Sequence, residues 1–160
     1  MENNPVLMAF NTWRAVQPEA ARSGLVLTAN DHATRSCSVW WAAPETDFLD
    51  RIRAEARSRG IRLLVNRAPY SMPELRRTVD LIFGGRERFG QLGFDLQGIT
   101  GPTPEFLGLT VEGGVVGDEK AEQLPPDLVA SVRRELAGLL QDSQVRPDDV
   151  KIEYGRTVLL

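Results

Sequence analysis

The chain has 160 residues, of which 42% are hydrophobic and 26% are charged. These fractions are typical of a folded globular protein and exclude a disordered or collagen-like chain. The formal charge of −3 at pH 7 gives no general attraction to phosphate backbones, so no nucleic-acid partner is expected. No apolar run approaches the roughly 20 residues that a membrane span needs.

The N-terminal part is predicted to form an arm followed by a β-hairpin. Turn-forming residues at 30–35 separate two strand-like runs, 25–28 and 37–41, which predicts the hairpin. Residues 1–23 are predicted to be a weak helix or an irregular arm that docks on the body through Val6, Leu7, Phe10 and Trp13.

A helix, a strand and a second helix follow. Apolar residues recur at three- and four-residue spacing after Pro44, and Gly60 is a typical stop signal for that helix. The run 61–65 predicts a strand. Ser71 with a glutamate three residues later has the form of a capping box, so a second helix is expected to begin there and to end at Gly84.

The second half repeats this plan after a polar connector at 86–93. Two apolar runs flank a turn rich in glycine and proline, and a strongly amphipathic stretch follows a pair of prolines. The predicted elements are a hairpin of strands 94–99 and 106–111, a Gly-rich acidic loop at 112–123, a helix from Pro125, and a last strand at 150–154.

These elements predict an α+β fold in a single domain over 1–160. Its parts are a first ββαβα unit at 24–85 and a second ββαβ unit at 94–160, with a mostly antiparallel sheet, helices on one face and a ferredoxin-like arrangement. The repeated order favours an internal duplication and two independent units equally.

Two segments of the first half resemble a known class of modules. Gly60-Ile61-Arg62-Leu63 and Ala68-Pro69-Tyr70-Ser71 are similar to segments in small α/β modules of secreted proteins from high-GC soil bacteria. Such modules form the pro-segments of α-lytic and streptogrisin-type serine proteases. The second half, from 108–111 to 150–154, is similar in its order of elements. The resemblance implies a non-catalytic, pro-segment-like module that binds another protein through its sheet or its C-terminal strand.

The first residues of the chain are relevant to its cellular compartment. The first residues have no basic segment followed by a long apolar run, so the sequence as written indicates a cytoplasmic protein, or a secreted one if a leader has been removed. Localisation therefore stays unknown. Because no leader precedes the module and no protease domain follows it, a pro-segment role in cis is not expected.

No residue pattern predicts a catalytic, cofactor-binding or metal site. His32 follows Asp31, which suggests a general base, but turn geometry explains both residues and is preferred. The single cysteine, Cys37, is expected to be a small buried hydrophobic residue rather than a nucleophile. Gly113 and its neighbours superficially resemble a phosphate-binding loop, yet the acids beside them would repel a phosphate, and a surface loop is preferred. We therefore expect a non-enzyme without a cofactor.

Two groups of residues are candidates for binding a partner. Adjacent strand residues point to opposite faces, so Trp40 and Trp41 are predicted to lie on the two sides of the sheet, one under helices and the other under the arm or at an interface. A core role for both is preferred. The apolar terminus, Val158, Leu159 and Leu160, is predicted to extend the final strand, which is preferred, or to add to a partner's sheet.

The sequence thus predicts a protein-interaction, inhibitor or adaptor module with an unidentified protein partner. One alternative is an enzyme or small-molecule-binding protein with a cleft between the two halves, lined by Arg62, Arg67, Tyr70 and Tyr154. Another is a structural component of a larger assembly, and homo-oligomerisation stays open.

Overall fold

The computed structural model describes residues 4–18, 24–42 and 44–155. Contacts divide the chain into two compact units, Met1–Met72 and Pro73–Leu160. The helix Met72–Gly84, which the sequence grouped with the first hairpin, falls almost wholly in the second unit.

The first unit carries a three-stranded sheet. In the order β1-β2-β3, the hairpin strands β1 and β2 are antiparallel, whereas β2 and β3 are parallel because a helix separates them along the chain. Its elements are α1 (Pro5–Ala15), β1 (Leu25–Asp31), β2 (Ser36–Trp41), α2 (Asp47–Ser58) and β3 (Arg62–Arg67).

Both helices of this unit pack on the same face of the sheet. The strand β2 alternates strictly, with one residue in two buried, so a single face supplies its core side chains. That face and the two helices share one hydrophobic cluster, which includes Leu7, Phe10, Cys37, Val39, Trp41, Phe48, Leu49 and Ile52. Val6, Leu7, Phe10 and Trp13 pack in or against this cluster as predicted, and the described part of the arm contains the helix Pro5–Ala15.

The second unit has the same strand order and pairing in its own sheet, β4-β5-β6, with β4 and β5 antiparallel and β5 and β6 parallel. Its elements are α3 (Met72–Gly84), α4 (Arg86–Leu92), β4 (Phe94–Thr100), β5 (Leu109–Val115), α5 (Pro126–Leu139), a 3₁₀ turn (Pro147–Asp149) and β6 (Val150–Tyr154).

Two segments of this unit differ from the sequence prediction. The expected polar connector contains the helix α4, which forms because Phe89 is fully buried and meets the ring of Phe94 edge-on at 6.0 Å between centroids. The expected Gly-rich loop starts later, because β5 runs on to Val115. Gly113 lies so close to the Phe94 ring that a Cβ atom there would overlap it.

The α+β class and the two hairpin-helix-strand units predicted from the sequence are thus confirmed. Each sheet is mixed, so the expectation of mostly antiparallel pairing holds for the hairpins only. Of the helices in the described ranges, none has both the length and the apolar character needed to cross a bilayer.

Candidate functional site

The two adjacent tryptophans lie on opposite faces of the first sheet, as predicted. Trp41 is 4% exposed, its indole N–H donates to the carbonyl oxygen of Pro44 at 3.2 Å, and its ring lies 6.4 Å from that of Phe48. Trp40 is half-buried on the other face. The core role is therefore confirmed for Trp41.

The described part of the N-terminal arm, the helix α1, does not cover the Trp40 face. Leu7 and Phe10 of α1 belong to the same cluster as Trp41, so α1 lies on the helical side of the sheet. Of the two covers predicted for the other face, the arm or a partner, the described part of the arm does not provide it. The reason is physical: Leu7 and Phe10 lie three residues apart on one helical stripe of α1, and that stripe packs into the cluster shared with α2, whereas Met8 lies off it and is exposed.

The most exposed part of the first sheet is β3. Five of its six residues are exposed, including Leu64 at 40% and Val65 at 36%. It is also an edge strand, because its only strand neighbour in the described sheet is β2. A strand in this position presents unpaired backbone groups along one side.

The direction of those backbone groups follows from two hydrogen bonds at the ends of the strand. The N–H of Arg62 donates to the carbonyl of Arg35 at 3.1 Å, and the N–H of Ala68 donates to that of Trp41 at 3.0 Å. Since backbone direction alternates along a strand, the groups of Leu64 also point to β2. The N–H and C=O groups of Leu63, Val65 and Arg67 point away; we call them the outer edge of β3.

A groove of about 280 Å³ runs between α2 and β3. Its lining is apolar except for two arginines, and it contains no carboxylate; it consists of Arg53, Ala56, Arg57, Ile61, Leu63 and Val65. We call this the α2–β3 groove. It lies on the helical side of the sheet, directly beside the outer edge of β3.

Arginines surround the groove and the edge. Arg53 is held by Glu45 at 2.8 Å and by Asp50 at 3.3 Å, and the hydrogen bonds and charge of Arg53 lower the pKa of Glu45. Within the described ranges, the exposed side chains of Arg57, Arg62 and Arg67 have neither a hydrogen bond nor an ion pair. The chain is acidic overall, yet this surface is positive.

His32 has a structural position in the hairpin turn. Its Nδ1 atom accepts a hydrogen bond from the backbone N–H of Asn4 at 3.0 Å. The Asn4 side chain in turn accepts from the N–H groups of Val6 and Leu7 and caps α1. These hydrogen bonds support the structural interpretation of His32, because its imidazole ring holds the residue that caps α1.

Cys37 is fully buried in the first unit, as expected for a small hydrophobic residue. Burial raises the pKa of its thiol, although the nearby Arg14 guanidinium acts in the opposite direction. A thiol that stays protonated at neutral pH is a poor nucleophile. The described residues contain no group of three or more histidine, cysteine or acidic side chains able to hold a metal ion.

Of the residues predicted to line a cleft, Arg62 and Arg67 lie on this surface, whereas Tyr70 is buried. Val158, Leu159 and Leu160 lie outside the described residues, and the cleft expected between the two halves stays a prediction.

Comparisons with models of known protein families, with curated protein sequences and with solved structures found no match. The resemblance to secreted bacterial modules therefore also stays a prediction.

The sequence predicted Arg62 and Arg67 as cleft residues, but it did not predict that β3 is an exposed sheet edge. The run Leu63-Leu64-Val65 has apolar residues at successive positions, which is typical of a strand covered on both faces. The arginines on either side of this run were a usable signal, because charged residues at the ends of an apolar strand are typical of exposed sheet edges.

Proposed function

We propose that the protein is a non-catalytic protein-interaction module that binds a partner protein through β3. The observation that carries this proposal is the combination of an open strand edge with exposed apolar side chains, Leu64 and Val65. Long exposed apolar edges promote uncontrolled association, so a folded protein that keeps one exposes it for a partner or blunts it with charge. A groove beside the edge, lined by two arginines as well as by apolar side chains such as Leu63 and Val65, supports the first use, because it offers a place for a partner's side chains.

The alternatives predicted from the sequence stay predictions. The α2–β3 groove is shallow and holds no pair of an acid and a base, so it supports peptide contact better than catalysis. A role in a larger assembly would use the same edge with a repeated copy of the chain, and the oligomeric state distinguishes that case.

Site-specific photo-crosslinking tests the proposal. A benzophenone amino acid replaces Leu64, and in a matched variant it replaces Leu81 on α3, whose exposure is 43% against 40% for Leu64. Each variant is irradiated in lysate and culture medium of the source cells. We expect a discrete adduct with another protein from position 64 and none from position 81. Adducts from both positions alike, or from neither, would contradict the proposal.

A further inference from the structure

The outer edge of β3 has the chemistry to accept another strand. Three successive outward-facing residues, Leu63, Val65 and Arg67, each offer one donor and one acceptor on the same side. A strand of about five or six residues, the common length in proteins, would pair with all of them. Main-chain hydrogen bonds of this kind provide affinity without requiring a particular sequence.

The α2–β3 groove adds a requirement on side chains. Leu63 and Val65 belong to the strand and also line the groove. Every second side chain of an added strand would project on the same side of the sheet as theirs. There it would contact Leu63 and Val65 together with the other groove residues, which include Arg53 and Arg57.

The arginines beside the outer edge of β3 determine which side chains the added strand should carry. Arg57, Arg62 and Arg67 are exposed, and no carboxylate within the described ranges is bonded to them. Arg62 lies on the face of Trp40, because it pairs with Ser36, whereas Arg67 lies on the face of Trp41. An incoming strand therefore meets positive charge on both of its faces, and acidic side chains complement it.

Resting on the proposed function, we propose that the partner supplies an extended acidic segment that adds to β3 as a fourth strand. Its backbone pairs with the outer edge of β3. Its apolar side chains lie over the α2–β3 groove, and its carboxylates pair with Arg57, Arg62 and Arg67. A basic or neutral segment would form the same backbone bonds without the ion pairs.

The first test uses capped peptides of about seven residues. Valine occupies the third and fifth positions, which share one face of the strand, and all other positions carry glutamate, or in the matched peptide lysine, so that charged side chains lie on both faces. We expect the glutamate peptide to bind the full chain at least tenfold more tightly than the lysine peptide, and the difference to shrink with added salt. Equal binding of the two peptides, or preference for lysine, would overturn the proposal.

Charge reversal on the protein locates the site. The triple variant Arg57→Glu, Arg62→Glu and Arg67→Glu is expected to lose at least tenfold in affinity for the glutamate peptide. The matched control reverses three exposed arginines of the second unit, Arg76, Arg77 and Arg133, and is expected to bind as the parent does. An equal loss in both variants would overturn the proposal. Circular dichroism establishes that each variant is folded.

Peptide N-methylation tests strand addition without changing the protein. In an added strand, every second amide of the peptide donates to β3, so single N-methyl groups should weaken binding at alternate positions only. Loss at consecutive positions, or at none, would show another binding mode. A concentration-dependent homodimer that survives the charge reversal would show that a second copy occupies β3, and would also overturn the proposal.

The outcomes separate this inference from the proposed function. If position 64 crosslinks to a partner but neither peptide binds, the interaction module stands and the acidic strand is wrong. If position 64 gives no adduct and the glutamate peptide fails to bind, both proposals fail.

Discussion

His32, Cys37 and Arg14 of the first unit have structural positions. His32 uses Nδ1 to hold the start of α1, and Cys37 is packed among apolar side chains. Arg14 is partly buried near that thiol, and burial lowers the pKa of its guanidinium. These three side chains connect α1 to the hairpin, so we expect them to contribute to the stability of the fold.

The buried thiol predicts a dependence of stability on pH. The folded-state pKa of Cys37 is raised, so its contribution is complete below the ordinary thiol pKa of about 8.5. As the pH rises further, the thiol of the unfolded chain ionises first, and the free energy of unfolding falls by up to about 1.4 kcal/mol per pH unit until the folded-state pKa is reached.

Urea unfolding between neutral pH and about pH 10 measures this effect on the parent and on Cys37→Ala. The two curves of unfolding free energy against pH should run parallel below the thiol pKa and converge or cross above it. Curves that stay parallel across the whole range would show that the thiol titrates normally in the folded protein.

At the scale of elements, α4 is a helix that the sequence did not predict. Its seven residues include one large apolar side chain that is fully buried, Phe89, which is too little periodicity to predict a helix. Tertiary packing against Phe94 supplies the stabilisation instead.

Replacing Phe89 by alanine should therefore lower the free energy of unfolding by about 3–5 kcal/mol, because a buried ring leaves a cavity. The matched variant Phe83→Ala removes a ring that is 40% exposed on α3, and should cost about 1 kcal/mol or less. Denaturant unfolding of both variants provides the comparison. A similar loss for the two would mean that Phe89 does not anchor α4.

Several elements could be predicted closely from local pattern. The last strand has the predicted bounds, Val150–Tyr154, because the proline and aspartates before it mark its start and its residues alternate. The helix after Pro125 was equally clear. The course of β5 through Gly113 could not be predicted, since the glycine is required by a ring from another strand, and that approach leaves no local signal.

For the whole molecule, the predicted class was right because two amphipathic hairpin-helix-strand units have few ways to bury their apolar faces. What the pattern could not provide was which sheet positions stay uncovered. The helices α1 and α2 cover one face of the first sheet, and β3 is an open edge among the described strands. A common origin of the two units stays a prediction.

The central claim is that a partner adds to the outer edge of β3, and residue-resolved amide hydrogen exchange tests it most directly. In the free protein, the outward amides of Leu63, Val65 and Arg67 should exchange faster than those of Arg62 and Leu64, which bond to β2. Binding of the crosslinked partner or the glutamate peptide should slow the three outward amides. Unchanged exchange at all three, with protection elsewhere on the chain, would contradict the account.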